Sequence, residues 1–113
     1  MSQVVRVSLT IDGANPPIAR RFGLSSTLSI YNELQIATAT TDSTLPIGAL
    51  AAIDFFYLTS DQALTLNFNS TSGTDITIDA NKPIMLSGTA LTNIYVSNAS
   101  GSTANIKYLV AGA

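Results

Sequence analysis

The chain reads as all-β: a single antiparallel β-sandwich of about eight strands, jelly-roll-like, spanning residues 1–113 as one domain. Three observations predict this. Apolar residues recur with a period of two along almost the whole length, the repeat of a half-buried strand. Clusters of Gly, Pro, Asn, Asp and Ser separate the short apolar runs, as turns do. Ser, Thr and Asn together supply 35 of the 113 residues, which suits outward strand positions and polar turns. A small closed β-barrel is the alternative. A domain this size buries roughly two-thirds of its extended-chain surface, enough for one core. No linker divides it.

Residues 4–11, VVRVSLTI, place Val5, Val7, Leu9 and Ile11 on one face and Arg6, Ser8 and Thr10 on the other. DGANPP (12–17) then breaks the pattern. Residues 28–36 set Leu28, Ile30, Leu34 and Ile36 against Tyr31, Glu33 and Gln35, with Asn32 on the apolar parity, where a bulge or break is expected. ATATTDST (37–44) continues as extended chain into a loop. PIGALAAID (46–54) is the one stretch where a turn or two of helix is expected. FFYLTS (55–60), LTLNFN (64–69), DITID (75–79), IMLS (84–87), NIYVSN (93–98) and NIKYLV (105–110) complete the eight strands.

Two of these stretches echo one another. FFYLTSDQALTLNF (55–68) and NIYVSNASGSTANIKYLV (93–110) each run from an aromatic strand through a small polar turn into an apolar strand. They read as two hairpins, either alike only as any hairpins of a β protein are or equivalent within the sandwich, the second turning at residues 98–103.

Composition removes whole classes of chemistry. There is no Cys and no His, hence no disulfide, no thiol nucleophile, no Ser–His pair and no imidazole ligand. A Ser–Lys dyad would need Lys82 or Lys107, and neither lies in an S-x-x-K pattern. The seven acids sit mostly at strand ends or in turns, where Asp bonds its own backbone. Asp54, Asp61, Asp75 and Asp79 are candidates for an oxygen-ligand calcium site, although no calcium-loop spacing is present. Glycines fall singly and form no phosphate cradle. The chain is therefore expected to be no enzyme and to hold no cofactor or metal.

Charge is the unusual feature. Charged residues make up 11% of the chain, against about 25% in an average domain. Five cations cannot neutralise phosphates on the scale nucleic-acid binding needs, so no nucleic-acid partner is expected. No run approaches the ~20 apolar residues of a membrane span. The first residues lack the pattern of a secretory signal, so synthesis in the cytoplasm without processing is expected. The sequons at Asn69 and Asn98 are what so much Ser, Thr and Asn throws up by chance. Low charge makes a surface cheap to desolvate, and that suits contact with another protein. The candidate contact residues are the basic pair Arg20 and Arg21, which would anchor on an acidic partner, the aromatics Phe55 and Tyr57 of a strand apolar on both sides, and Tyr95.

Four stretches, IATATTDSTLPIG (36–48), YLTSDQALTLNFN (57–69), ANKPIMLS (80–87) and IYVSNASGSTANIKYLV (94–110), resemble small virion proteins of tailed bacteriophages, in particular β-sandwich capsid decoration (cement) proteins. The opening VVRVSLTIDGANPPIARRFG (4–23) looks more like tail or sheath proteins. The resemblance implies a non-enzymatic structural protein on the capsid exterior. It implies a homo-oligomer, a trimer, bound to the major capsid protein and stabilising the shell. The alternative it leaves is a tail or fibre β-sandwich that binds a receptor carbohydrate. It carries over no functional residue.

Overall fold

The computed structural model describes residues 3–11, 18–26, 28–72 and 75–112; the side chains of 3–5, 7, 9–11, 18–26, 28 and 88–90 lie outside that description. Among the described residues there are ten strands: β1 (Gln3–Ile11), β2 (Ile18–Ser26), β3 (Leu28–Ile36), β4 (Thr40–Thr44), β5 (Ile53–Ser60), β6 (Leu64–Phe68), β7 (Ile76–Ile78), β8 (Ile84–Leu91), β9 (Ile94–Asn98) and β10 (Ala104–Gly112). Two exceed the sequence expectation. Strand β2 follows the DGANPP break, and β4 lies in the stretch 37–44 that was expected as extended chain running into a loop.

Eight of the strands form two four-stranded antiparallel sheets, β3-β10-β5-β8 and β4-β9-β6-β7. The orders follow from one winding operation. Strands β3 to β6 and β7 to β10 form the two arms of a long antiparallel ribbon, paired β3·β10, β4·β9, β5·β8 and β6·β7. Rolling that ribbon brings β10 against β5 and β9 against β6, which completes both sheets. This is the jelly-roll order, and the sheets do not close into a barrel.

The winding corrects the reading of the echo. Strands β9 and β10 lie in different sheets, as do β5 and β6, so neither stretch is a hairpin. The two stretches pair with each other instead, Tyr57 opposite Leu109 and Asn67 opposite Tyr95. The turn at 98–103 is a corner between sheets. Asn98, fully buried, holds it: Nδ2 donates to the carbonyls of Ile36 and Ser102, each at 2.9 Å, while Oδ1 accepts from the Ser100 amide at 3.0 Å and hydroxyl at 2.7 Å. All of its amide capacity is used.

The core lies between the sheets. Leu58, Ile106, Tyr108 and Val110 of one sheet face Leu64, Leu66, Ile94 and Val96 of the other. Phe56 and Phe68 meet edge to face across the layers, ring centroids 6.0 Å apart. The expected helix at 46–54 is absent: a turn at 48–49 leads through bends into β5. Leu45, Leu50 and Ile53 are buried in the core, and burying each gains roughly 1.5–3 kcal/mol. So short a segment gains little from helical hydrogen bonds once the cost of nucleation is counted. Gly48 turns there at φ +61°, and a Cβ on it would lie 2.6 Å from Ile30 Cδ1. The expected irregularity at Asn32 is also absent. The β3–β10 register runs through it unbroken, because Nδ2 donates to the Tyr108 hydroxyl at 3.3 Å and so satisfies an inward amide.

Strands β1 and β2 form a separate two-stranded ribbon belonging to neither sheet. Its backbone approaches β3 and β10. Eighteen residues of straight strand would measure about 60 Å, whereas the longest extent of the molecule is 38 Å. Strands β2 and β3 are therefore not collinear.

Candidate interaction face

Parity along β3, β5, β8 and β10 sends Leu34, Phe56, Leu86 and Ile106 inward, and alternate residues to the outer face of that sheet. On that outer face the registers align one row across all four strands. Tyr31 stands opposite Leu109, Leu109 opposite Tyr57, and Tyr57 opposite Met85. Tyr31, Leu109 and Met85 are apolar or aromatic exceptions among the polar outward positions of their strands, and Tyr57 shares its parity with Phe55. Tyr31 is 57% exposed and Met85 36%, the two large hydrophobics most open to solvent among the described residues. Tyr57 and Leu109 are half-buried between them.

Polar groups border the row on one side. Glu33 stands opposite Lys107 and Lys107 opposite Thr59. Beyond them runs a hydrogen-bonded chain: Gln35 Nε2 donates to Asn105 Oδ1 at 3.1 Å, and the Asn105 amide and Nδ2 each donate to the Asp61 carboxylate at 2.8 Å. Those two bonds hold the Asp61 carboxyl below its ordinary pKa. The Tyr31 hydroxyl donates to Glu33 Oε1 at 2.9 Å, and this bond to a carboxylate holds the phenol above its ordinary value. An open cleft of about 320 Å³ lies among Thr59, Asp61, Asn81, Asn105 and Lys107. It is polar and shallow, without the apolar enclosure of a small-molecule site.

The contact residues expected from sequence are not brought together. Tyr57 lies in the row. Phe55 shares its strand parity but is only 4% exposed, so the isolated chain does not present it as a surface group. Tyr95 is half-buried on the outer face of the other sheet, between Asn67 and Thr44, among Thr65, Ser97 and Thr77. Arg20 and Arg21 lie on β2, opposite Leu9 and Ser8 respectively, and their side chains are outside the described residues. Sequence reasoning missed Tyr31, Leu109 and Met85.

The candidate metal ligands do not converge. Among the described residues no three acidic side chains gather as an ion would require. Asp79 pairs with Lys82 at 3.5 Å, Asp75 accepts from Asn67 Nδ2, and Asp61 is engaged by Asn105. Asn98 of the second sequon is buried in its corner. Among the described residues no helix is long and apolar enough to cross a membrane.

No protein-family model matches the chain, and no curated protein matches it. Among solved structures, it is similar to a de novo designed double-stranded β-helix determined by solution NMR. The identity is 8% and the TM-score 0.39, over 96% of this chain and 97% of that one.

Proposed function

We propose that this chain is a non-enzymatic structural protein that acts by having its surface covered. In this reading it forms a homo-oligomer, a trimer, that docks on the major capsid protein at the exterior of a tailed-phage head and reinforces the shell. The observation that carries the reading is the row Tyr31–Leu109–Tyr57–Met85, which crosses an outer sheet face from edge to edge. Apolar groups contiguous across four strands, open to water at Tyr31 and Met85 and half-buried between, mark a contact surface more than a finished exterior. Charges border them on one side only, at Glu33 and Lys107, so the desolvation cost that opposes association falls on that side. The sequence resemblance to decoration proteins supplies the particle, and the row supplies the means.

Labelled-antibody electron microscopy of the particle tests this reading. Label over the head surface is the expected result. Absence of label from heads and tails alike overturns it.

A second reading has its own observation. Tyr31 and Tyr57 stand beside Glu33, Lys107 and the Gln35–Asn105–Asp61 chain, the mixture of rings, amides and carboxylates that sugars engage. Label at the tail tip, with binding of one defined glycan on an array that is lost in Tyr31→Ala, would favour a receptor-binding role over the first reading.

A further inference from the structure

A free sheet edge can pair with a strand of another molecule, and folded proteins usually block it. Three of the four edges of the two sheets are blocked. Strand β7 has three residues between Asp75 and Asp79, β4 breaks register between Thr40 and Ser43, and β8 follows Pro83 and shifts register against β5 between Ser87 and Leu91. The fourth, β3, keeps unbroken register with β10 over nine residues, and among the described residues no strand pairs with its other side.

That edge is open over residues 30–35. Tyr31, Glu33 and Gln35 are exposed, and the inward Ile30, Asn32 and Leu34 are only half-buried against the core. The Glu33 amide donates to Asn32 Oδ1 at 2.9 Å and so takes no part in the ladder with β10. Antiparallel alternation then points the backbone groups of Tyr31, Glu33 and Gln35 away from β10, along the free edge.

The strand is also self-complementary. Two copies of β3 laid antiparallel about a two-fold axis at Asn32 set Ile30 of each opposite Leu34 of the other, and Tyr31 opposite Glu33. A slip of one residue turns the apolar side chains to the wrong face. Moving the axis to Tyr31 sets Ile30 against Asn32, and moving it to Glu33 sets carboxylate against carboxylate. Among these registers only the axis at Asn32 matches apolar with apolar and carboxylate with phenol. The Tyr31 hydroxyl already donates to a carboxylate, at 2.9 Å, within its own chain. The two Asn32 amides meet on the axis, where they fix the register as a buried Asn does in a coiled coil.

We infer that two copies of this chain pair through β3, antiparallel about Asn32, and so join two four-stranded sheets into one of eight strands. The contact completes the cover over Ile30 and Leu34. It also seats Tyr31, 57% exposed in one chain, between its own Leu109 and Glu33 of the second copy. It goes beyond the proposed function: a two-fold contact closes at two copies, so the trimer proposed there needs a separate contact on the particle.

Sedimentation of the full chain is expected to give twice the 11.8 kDa mass of one chain. Glu33→Pro removes an amide that serves the edge and not the β10 ladder, so the fold stands, pairing is blocked and one chain mass is expected. Tyr31→Glu sets carboxylate against carboxylate and is expected to do the same; it takes over as the test should Glu33→Pro unfold. The chain has no Cys, which gives the register its own readout. Opposed positions such as 31 and 33 lie about 5.5 Å apart at Cα, within disulfide reach. Under mild oxidation Tyr31→Cys mixed with Glu33→Cys is expected to cross-link, and neither variant alone. A monomeric or trimeric wild type, a dimer indifferent to the folded edge variants, or cross-linking as ready in each Cys variant alone as in the mixture overturns the inference. A dimer that behaves as expected but fails to label phage heads overturns the proposed function and leaves the β3 contact standing.

Discussion

The Tyr108 hydroxyl donates a 2.6 Å hydrogen bond to the carbonyl of Pro46 while accepting one from Asn32 Nδ2 at 3.3 Å. One buried phenol thus joins β10, β3 and the segment that crosses from β4 to β5. Tyr108→Phe keeps the ring but leaves a carbonyl and an amide without that partner. The expected loss is roughly 1–3 kcal/mol, read from the urea midpoint at neutral pH.

The same residue predicts alkaline sensitivity. Burial raises the Tyr108 pKa, and the Asn32 bond opposes that shift in part. The folded state therefore holds the proton longer than the unfolded state does. Its stabilising contribution is complete below the unfolded pKa of about 10 and is lost as pH rises through the folded value. A urea midpoint that falls above about pH 10 in wild type, and falls less in Tyr108→Phe, is the expected result.

Asn98 predicts the strength of the corner between β9 and β10. Asn98→Ala strands the buried Ile36 carbonyl and frees the Ser100 loop. A loss of about 1–3 kcal/mol is expected, with the melting temperature lowered by several degrees per kcal/mol. An unchanged melting temperature would show that water replaces all four bonds.

Asp61 gives a prediction at the border of the row. Its carboxyl is held low by Asn105, so its contribution is present above the unfolded pKa of about 3.9 and is lost as pH falls through the folded value. In Asn105→Ala the carboxyl is expected to titrate closer to its ordinary value, measured by NMR. Being exposed, it should change acid stability little.

Gly112 closes the β5–β10 ladder where the register shifts. A Cβ there would overlap the carbonyl oxygen of Ala52, which is backbone and cannot swing aside. Gly112→Ala is expected to cost about 1–3 kcal/mol of overpacking. Gly101, with open space around its Cβ but φ +88°, should tolerate Ala only with backbone strain.

Much of the row was visible as single residues. Tyr31 is an aromatic on the polar parity of 28–36, Leu109 falls off the parity of Ile106, Tyr108 and Val110, and Met85 interrupts another strand. Each exception is local, and a search for such exceptions would have found them. Their alignment is not local: the four residues lie more than twenty positions from one another and meet through three separate registers. Tyr95, an aromatic with the same local signature as Tyr57, ends on the opposite outer face for the same reason.

The amino-acid pattern alone established eight of the ten strands, most of their inward parities, the scarcity of charge and the absence of Cys and His. These are properties of alternation and composition, and alternation dictates which side of a strand is buried wherever the strand is placed. It left open which strands pair, because period-two runs are interchangeable partners until long-range burial selects among them. The tertiary structure decided that. Rolling a single ribbon put β5 beside β10 and β6 beside β9, turned an apparent hairpin into a corner held by Asn98, and drew 46–54 into the core instead of a helix. The physical reason is that burial between two sheets is a property of the whole roll, and no segment holds it before the roll is made.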